Sequence, residues 1–529
     1  MTVSRIDRRF ERRLASLVNS GEAGVLQGGR KGIEKESLRV TPRGRIAATP
    51  HPAALGSALT SPNITTDYSE SLIELITPAF SETWELLQYL CDLHHFVYRH
   101  LGEELLWATS MPCALDGDAS IPIAQYGSSN IGRMKSVYRM GLGLRYGRVM
   151  QAISGVHFNY SFPSHFWPVL HEAWQARASG QPFIDEAYFA LLRNYRRHGW
   201  LILYLFGASP ALCKTFFKGR DVPSSLQELD SNTLYSPHAT TLRMSDLGYR
   251  NKSQAGVAVS VNSLDEYVRD LSALIATPSP EYEKLGVKVN GEWQQLSANV
   301  LQIENEYYSF IRPKRTAHSG ERPTRALARA GVEYVEMRSL DVGVFDPVGV
   351  NQNKMRFLEA FAALCVLKES LPIERSTEQE LDANHVLVAR RGREPGLALS
   401  LGGRPCELKA WARQLLEEMH GVCELLDHGD PAKPYTAALA VQMAKVEDSS
   451  VTPSARMLRD LEIEGEAFFH FALRMSRQHR DYFRDLYPPN QSQLEVFRVE
   501  ADESIEAQRR IEVADAISFD EFVANWFAN

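Results

Sequence analysis

Between positions 82 and 107, Leu86, Leu87, Leu90, Leu93, Val97 and Leu101 recur at three- and four-residue steps, which gathers them on one stripe of a helix. The spacing predicts a helix over 82–107. Positions 156–162 follow a different period. Val156, Phe158, Tyr160 and Phe162 alternate with His157, Asn159 and Ser161, so a strand there buries one face and turns the other toward something polar. Pro163 closes that strand. Shorter alternating runs at 32–40, 72–77, 257–261 and 334–340 are separated by long helical or irregular stretches, not by regular crossover helices. This predicts an α+β fold instead of a doubly wound sheet.

Beyond about residue 370 the alternating runs thin out, and helical patterns take over at 407–426, 454–487 and 499–528, joined around Pro431, Pro434 and Pro488-Pro489. No Pro/Gly/Ser-rich linker, repeat or low-complexity tract divides the chain. The expectation is one body over 1–529, with a sheet-containing core at 20–370 and a mainly helical packing region at 371–529.

The 529 residues carry 58 Lys+Arg against 65 Asp+Glu, a net charge of -7, with 44% apolar residues. A mildly acidic balance argues against wrapping nucleic acid or docking on anionic lipid, both of which need a basic footprint. The six cysteines stand far apart with no C-x-x-C pair, so they read as reduced thiols with neither zinc nor a disulfide framework. The N-terminus lacks the apolar stretch of a secretory signal, and the longest apolar runs, 200–205 and 361–367, fall short of the ~20 residues a membrane span needs. The expectation is a cytoplasmic protein with no membrane partner. There is no phosphate-binding G-x-x-x-x-G-K-[ST] loop. The glycines at 141–147 miss the dinucleotide spacing, and Pro210 and Ala211 turn 207–211 into a plain turn, not a nucleophile elbow. His94, His95 and His100 share no helical step of three or four, which leaves them solvent or packing roles.

The anomaly lies in carboxylates inside segments that otherwise pattern as buried strands. Glu34 and Glu36 share a strand face, with Cα atoms about 6.5–7 Å apart. Glu74 stands among Leu72, Ile73, Leu75 and Ile76, where an unpaired carboxylate costs several kcal/mol unless it meets a cation or a proton. Asp67 precedes it in the same cluster, and Glu336 shares a face with Tyr334 and Arg338. Converging carboxylates without thiolates or paired histidines suit a hard cation, Mg²⁺ or Mn²⁺, and such ions bridge to nucleotide phosphates. Two acids alone would equally serve glycoside hydrolysis, with no cation. Tyr138-Arg139, His157, Arg243 with Tyr249, and the run from Tyr308 through Arg312, Lys314 and Arg315 add aromatic and cationic groups suited to carboxylate and phosphate oxygens.

Ten ordered blocks between about residues 32 and 350 then carry a family resemblance. Among them are Gly32-Ile33-Glu34-Lys35-Glu36-Ser37-Leu38-Arg39-Val40, Ser110-Met111-Pro112-Cys113, Ile153-Ser154-Gly155-Val156-His157, Ser245-Asp246-Leu247-Gly248-Tyr249, Ile311-Arg312-Pro313-Lys314-Arg315 and Arg338-Ser339-Leu340-Asp341. The chain resembles the proteobacterial glutamate-cysteine ligases, also called gamma-glutamylcysteine synthetases. The resemblance implies a curved antiparallel sheet of the glutamine synthetase catalytic-domain type, surrounded by helices. It implies transfer of the ATP γ-phosphoryl to the γ-carboxylate of L-glutamate, followed by attack of the L-cysteine amine, the first step of glutathione synthesis. The nearest rival is a ligase of the same superfamily using another amine. Carried over by position, Glu34, Glu36, Asp67, Glu74 and Glu336 fall where the family holds magnesium. Tyr68, Tyr138, Tyr249 and Tyr308 wall the cysteine pocket, and Arg139, His157, Arg243 and Arg338 hold substrate carboxylate or the transferring phosphoryl. Arg312 and Lys314 are added as ATP phosphate contacts from their charge and setting. A monomer inhibited by glutathione is expected, with some use of 2-aminobutyrate, since one methylene in a small pocket is worth only about 1–3 kcal/mol.

Overall fold

Seven strands form the principal sheet of the computed structural model, which describes residues 7–22, 24–247, 258–318 and 320–528. They are β1 (Arg30–Val40), β2 (Ile64–Thr66), β3 (Leu72–Ile76), β4 (Leu105–Leu106), β5 (Gly155–Ser161), β6 (Ile311–Lys314) and β7 (Tyr334–Asp341). Their order across the sheet is β6-β7-β5-β1-β3-β2, with β4 paired to the end of β1, and every pairing is antiparallel. The helices that matter for the site are α1 (Thr83–His100), α2 (Asn130–Tyr146), α3 (Gln181–His198), α4 (Trp200–Phe206), α5 (Gln352–Leu367) and α6 (Phe519–Ala528).

The alternation read from the sequence separates the two faces of this sheet. Ile33, Ile73, Leu75, Val156, Phe158, Val335 and Met337 are fully buried on one face and join side chains of α1, α3, α4 and α5 in the main core. Each large apolar side chain so buried contributes roughly 1.5–3 kcal/mol. The register places the polar residues of the same strands opposite one another on the other face: Glu36 across from Glu74, Glu34 from His157, and Glu336 from both Asn159 and Arg312. Pairing between β5 and β7 slips between Met337 and Leu340, so Arg338 and Ser339 together oppose the single residue His157. Such a bulge re-aims side chains at the edge of a site.

Several expectations need correction. The segment 82–107 is not one helix: α1 ends at His100, Gly102 turns the chain with φ +59°, and Leu105–Leu106 becomes a strand. No strand forms over 258–261, and residue 257 lies outside the described residues. Ser260 is instead tied to the following helix, its backbone N–H donating to Asp270 and its hydroxyl to Glu266. The C-terminal region is helical but holds one hairpin, Ala398–Leu401 with Arg404–Glu407, turned by Gly402 and Gly403, both at positive φ. The thiol expectation fails at one pair, since a disulfide joins Cys113 to Cys213 with Cα atoms 5.4 Å apart. Their separation of 100 residues concealed the contact. Cys91, Cys365, Cys406 and Cys423 are free. Among the described residues no helix is long and apolar enough to cross a membrane.

Candidate active site

A cavity of about 720 Å³ lies over the polar face of the sheet, bounded above by α2 and the 303–308 segment. Glu34, Glu36, Asp67, Glu74 and Glu336 all line it, so the five acids found separately in the sequence meet in one place. Strand periodicity delivers four of them, and Asp67 enters from the connection between β2 and β3. His157 stands among them, with Nδ1 3.1 Å from Glu34 Oε2 and 3.7 Å from Glu336 Oε1, and Nε2 3.8 Å from Glu36 Oε1. Burial, reinforced by Arg338, lowers its pKa and favours the neutral ring. With Nδ1–H donated to Glu34, the Nε2 lone pair turns toward Glu36.

The acids divide in their electrostatics. Burial, and then the charge of Asp67, pushes Glu36 up to about 8, and the same two causes hold Glu74 well above the usual carboxylate range. For Glu336 burial is outweighed by Arg338, 3.1 Å away, and Lys314, 3.4 Å away, which keep it well below that range. Glu34 also lies low, because His157 and Lys314 outweigh burial and the repulsion of Glu336. Glu336 Oε2 is nevertheless buried with no hydrogen-bond partner. Ligand atoms of Glu34, Glu74 and His157 fall within 4.8 Å of one another, a grouping able to hold a metal ion. Orphaned oxygen, neighbouring acids driven to bind protons and a hard donor set together fit a divalent cation such as Mg²⁺.

Cationic groups surround the acids. Arg139 on α2 donates from Nε to the Asp67 backbone carbonyl, and Arg312 donates to the carbonyls of Tyr307 and, at 3.0 Å, Asn305. Arg243 reaches the cavity because residue 155 is glycine: a Cβ there would stand 2.0 Å from its Nη2. The Gly155 N–H donates to Glu36 Oε2 at 2.6 Å. Arg243 Nη1 lies 3.9 Å from Asp341, whose buried carboxylate accepts from Ala208 N, Ser209 Oγ and Thr241 Oγ1 at 2.7, 2.7 and 3.0 Å. The 207–211 segment is therefore not the plain turn expected: Ser209 bridges to Thr241, Ala211 begins a short strand, and Ala208 and Ser209 hold Asp341. Tyr68, Tyr138 and Tyr308 line the cavity, and the buried Tyr68 hydroxyl has no partner. Tyr249 lies outside the described residues.

Sequence reasoning missed Lys135, Arg220 and Trp526, which also line the cavity. Lys135 stands one helical turn before Arg139 on α2, a spacing that could have flagged it, and burial brings its amine down to about 8. Trp526 approaches from the far C-terminus, where no local signal marks it.

A trough that demands divalent charge and offers guanidinium forks suits the ATP-dependent ligases that activate carboxylates, the class to which fold and site assign the chain. Comparison with known proteins narrows the class. The pattern of the glutamate-cysteine ligase family matches residues 14–388. The glutamate-cysteine ligase of Alcanivorax borkumensis is 48% identical over 525 residues, covering 98% of this chain and 99% of that one. That of Pseudomonas aeruginosa is 48% identical over 520 residues, covering 98% of each. The crystal structure of the Francisella tularensis glutamate-cysteine ligase in complex with AMP superimposes with a TM-score of 0.89 at 36% identity, covering 95% of this chain and 98% of that one. A bifunctional glutathione synthetase from Pasteurella multocida shares the fold over 58% of its own length, with a TM-score of 0.72 at 24% identity. The chain belongs to the glutamate-cysteine ligase family and is an ATP-dependent ligase of glutathione biosynthesis. A glycoside hydrolase is thereby excluded.

Proposed function

We propose that the cavity binds ATP, L-glutamate and L-cysteine together and forms γ-glutamylcysteine through a γ-glutamyl phosphate. The observation that carries this reading is the incomplete acid cluster, with Glu336 Oε2 buried and unpartnered beside Glu36 and Glu74, whose carboxyls favour the proton. Glu34, Glu36, Asp67, Glu74 and Glu336 would hold Mg²⁺ or Mn²⁺, with His157, grouped with Glu34 and Glu74, as a further ligand. Bound there, the ions neutralise the triphosphate and the charge that develops as the phosphoryl group moves.

The remaining roles belong to the chain itself. Arg338, anchored by Glu336, and Arg139, anchored on the Asp67 carbonyl, steady the phosphoryl group as it passes to the glutamate γ-carboxylate. Arg312 and Lys314 hold the phosphates of ATP. Arg243, fixed by Asp341, takes a substrate carboxylate. Tyr68, Tyr138 and Tyr308 wall the acceptor pocket and keep water from the acyl phosphate. The amine then attacks the acyl carbon, and phosphate departs with the electrons of the C–O bond. AMP in the Francisella relative supports an adenine nucleotide in the cavity. Glutathione carries the same γ-glutamyl and cysteinyl groups as the product, which supports its inhibiting at this site. The working protein is a cytoplasmic monomer.

The test is ADP release with each of ATP, glutamate and cysteine omitted in turn, and with EDTA. Turnover should require all three substrates and vanish with the chelator. ADP formation that survives EDTA would sink the metal reading, and equal turnover with an unrelated amine would replace cysteine as acceptor.

A further inference from the structure

The face that α2 turns to the cavity is a stripe at helical spacing, Met134, Lys135, Tyr138, Arg139, Leu142 and Tyr146, apolar or aromatic except at Lys135 and Arg139. Both cations lie over one ring. The Tyr126 centroid is 5.1 Å from Lys135 Nζ and 4.6 Å from the Arg139 guanidinium carbon. That ring is buried and pinned, since its hydroxyl donates between the Thr66 and Asp67 carbonyls, 2.7 and 3.0 Å away. Arg139 donates to the Asp67 carbonyl as well, whereas the Lys135 amine makes no hydrogen bond or ion pair among the described residues. Its side chain lines the cavity and is only half-buried, so it has surface to offer a ligand. Burial and then Arg139 lower its pKa while the charge of Glu74 raises it, which sets the amine beside the acids of β3. Arg312 and Lys314 stand on β6, at the other edge of the sheet.

Glutamate and cysteine each bring an α-carboxylate, and Arg243 answers one of them. Of the other arginines and lysines that line the cavity, only Lys135 and Arg220 have no ligand, and Arg220 is exposed, with Nη2 donating to the Phe216 carbonyl at 2.5 Å. An α-carboxylate and its amine share one carbon. The cation that holds the acceptor's carboxylate must therefore stand close to the acids, where the amine meets the acyl phosphate. Lys135 meets that condition, and two walls of the acceptor pocket flank it: Tyr68 follows Asp67, and Tyr138 is three residues further along α2. We propose that Lys135 binds the α-carboxylate of the acceptor amino acid, with the Tyr126 ring holding its side chain in place beside Arg139. This rests on the reading of the cavity as the site of ligation. The ion pair forms when the acceptor arrives, discriminates against amines that lack a carboxylate, and leaves Arg243 to glutamate.

The test uses two competitors of cysteine, L-2-aminobutyrate and propylamine, which is the same amine without the carboxylate. Lys135→Met should raise KM for cysteine and Ki for 2-aminobutyrate about 30-fold, the scale of losing a hydrogen bond between charged groups, with KM for ATP and glutamate within about twofold of wild type. The Ki of propylamine should not rise, because propylamine gives Lys135 nothing to hold. Lys135→Gln, a polar replacement, should repeat the result, and Lys135→Arg should recover most of the loss. An unchanged KM for cysteine overturns the proposal, as does equal weakening of 2-aminobutyrate and propylamine. A shift in the Mg²⁺ concentration for half-maximal rate, with KM for cysteine unchanged, would assign the amine to Glu74 instead. A wild-type enzyme that forms no ADP with glutamate and cysteine would overturn the ligase reading beneath it.

Discussion

Buried charge occurs on both faces of the principal sheet, and the two faces treat it differently. On the core face Lys31 Nζ lies 2.6 Å from Glu359 Oε2, both side chains are at most 2% exposed, and the Tyr435 hydroxyl donates to the same oxygen at 2.7 Å. The protein completes that charge by itself. On the cavity face, among the described residues, neither Glu36 nor Glu74 has a lysine or arginine within 4.0 Å, and Glu336 keeps one oxygen with no partner. A charge completed internally holds the fold together, whereas a charge left incomplete awaits a ligand and costs stability until the ligand arrives.

The largest effect expected from this contrast is at the completed pair. Glu359→Gln leaves the Lys31 ammonium buried without a counter-charge and should cost about 3–5 kcal/mol of folding stability, read by denaturant unfolding. Activity measured on the fraction that remains folded should be near normal. A variant as stable as wild type would show that this pair does not hold the fold together.

Glu336→Gln should divide its effect differently. ADP formation should fall at least about 100-fold, the scale of losing one group that stabilises developing charge, while the ion-free protein, which loses the pairs with Arg338 and Lys314 but no fully completed charge, falls in stability by less than the Glu359 variant. Loss of stability comparable to that of the Glu359 variant would place Glu336 among the structural charges and erase the distinction.

A titration sharpens the same point. Burial raises the Glu36 carboxyl to about 8 from an unfolded value near 4.5, so the native state holds a proton that the unfolded chain releases. Stability contributed by this group is therefore present below about pH 4.5 and declines as pH rises toward 8. Buried histidines slope the other way in the same range, so the informative quantity is a difference between proteins. With EDTA present, the melting temperature of wild type should drop relative to Glu36→Gln as pH goes from 5 to 8, and Mg²⁺ should close the gap. A pH-independent gap would remove Glu36 from the titrating cluster.

The division into faces was legible in the sequence because strand periodicity is strict: the carboxylates at 34, 36, 74 and 336 stand out against aliphatic neighbours without any structure. The family resemblance then tied those acids to Arg139, Arg243 and Arg338. What stayed hidden depends on contacts that periodicity does not encode. Cys113 and Cys213 meet only because a loop packs against the short strand Ala211–Cys213, Asp341 supports Arg243 while held by Ala208 and Ser209, more than 100 residues away in sequence, and Trp526 reaches the cavity by the docking of α6. Likewise nothing in the spacing of Leu86 to Leu101 warned that Gly102 would end α1 and free Leu105–Leu106 to pair with β1.

The smallest expected effect tests whether the contrast extends from charges to neutral polar groups. The Tyr68 hydroxyl is buried at the edge of the cavity with no partner, and burial holds its pKa well above that of free tyrosine, so it stays protonated. A buried hydroxyl without a hydrogen bond costs about 1–3 kcal/mol. Tyr68→Phe should therefore leave the ligand-free protein as stable as wild type or up to about 1 kcal/mol more stable. If the hydroxyl finds its partner in the acceptor amino acid, the same change should raise KM for cysteine a few-fold and narrow the preference for cysteine over 2-aminobutyrate, whose methyl offers that hydroxyl nothing. A gain in stability with the acceptor ratio unchanged would show the hydroxyl to be idle, and the rule drawn from the two faces would then hold for charge alone.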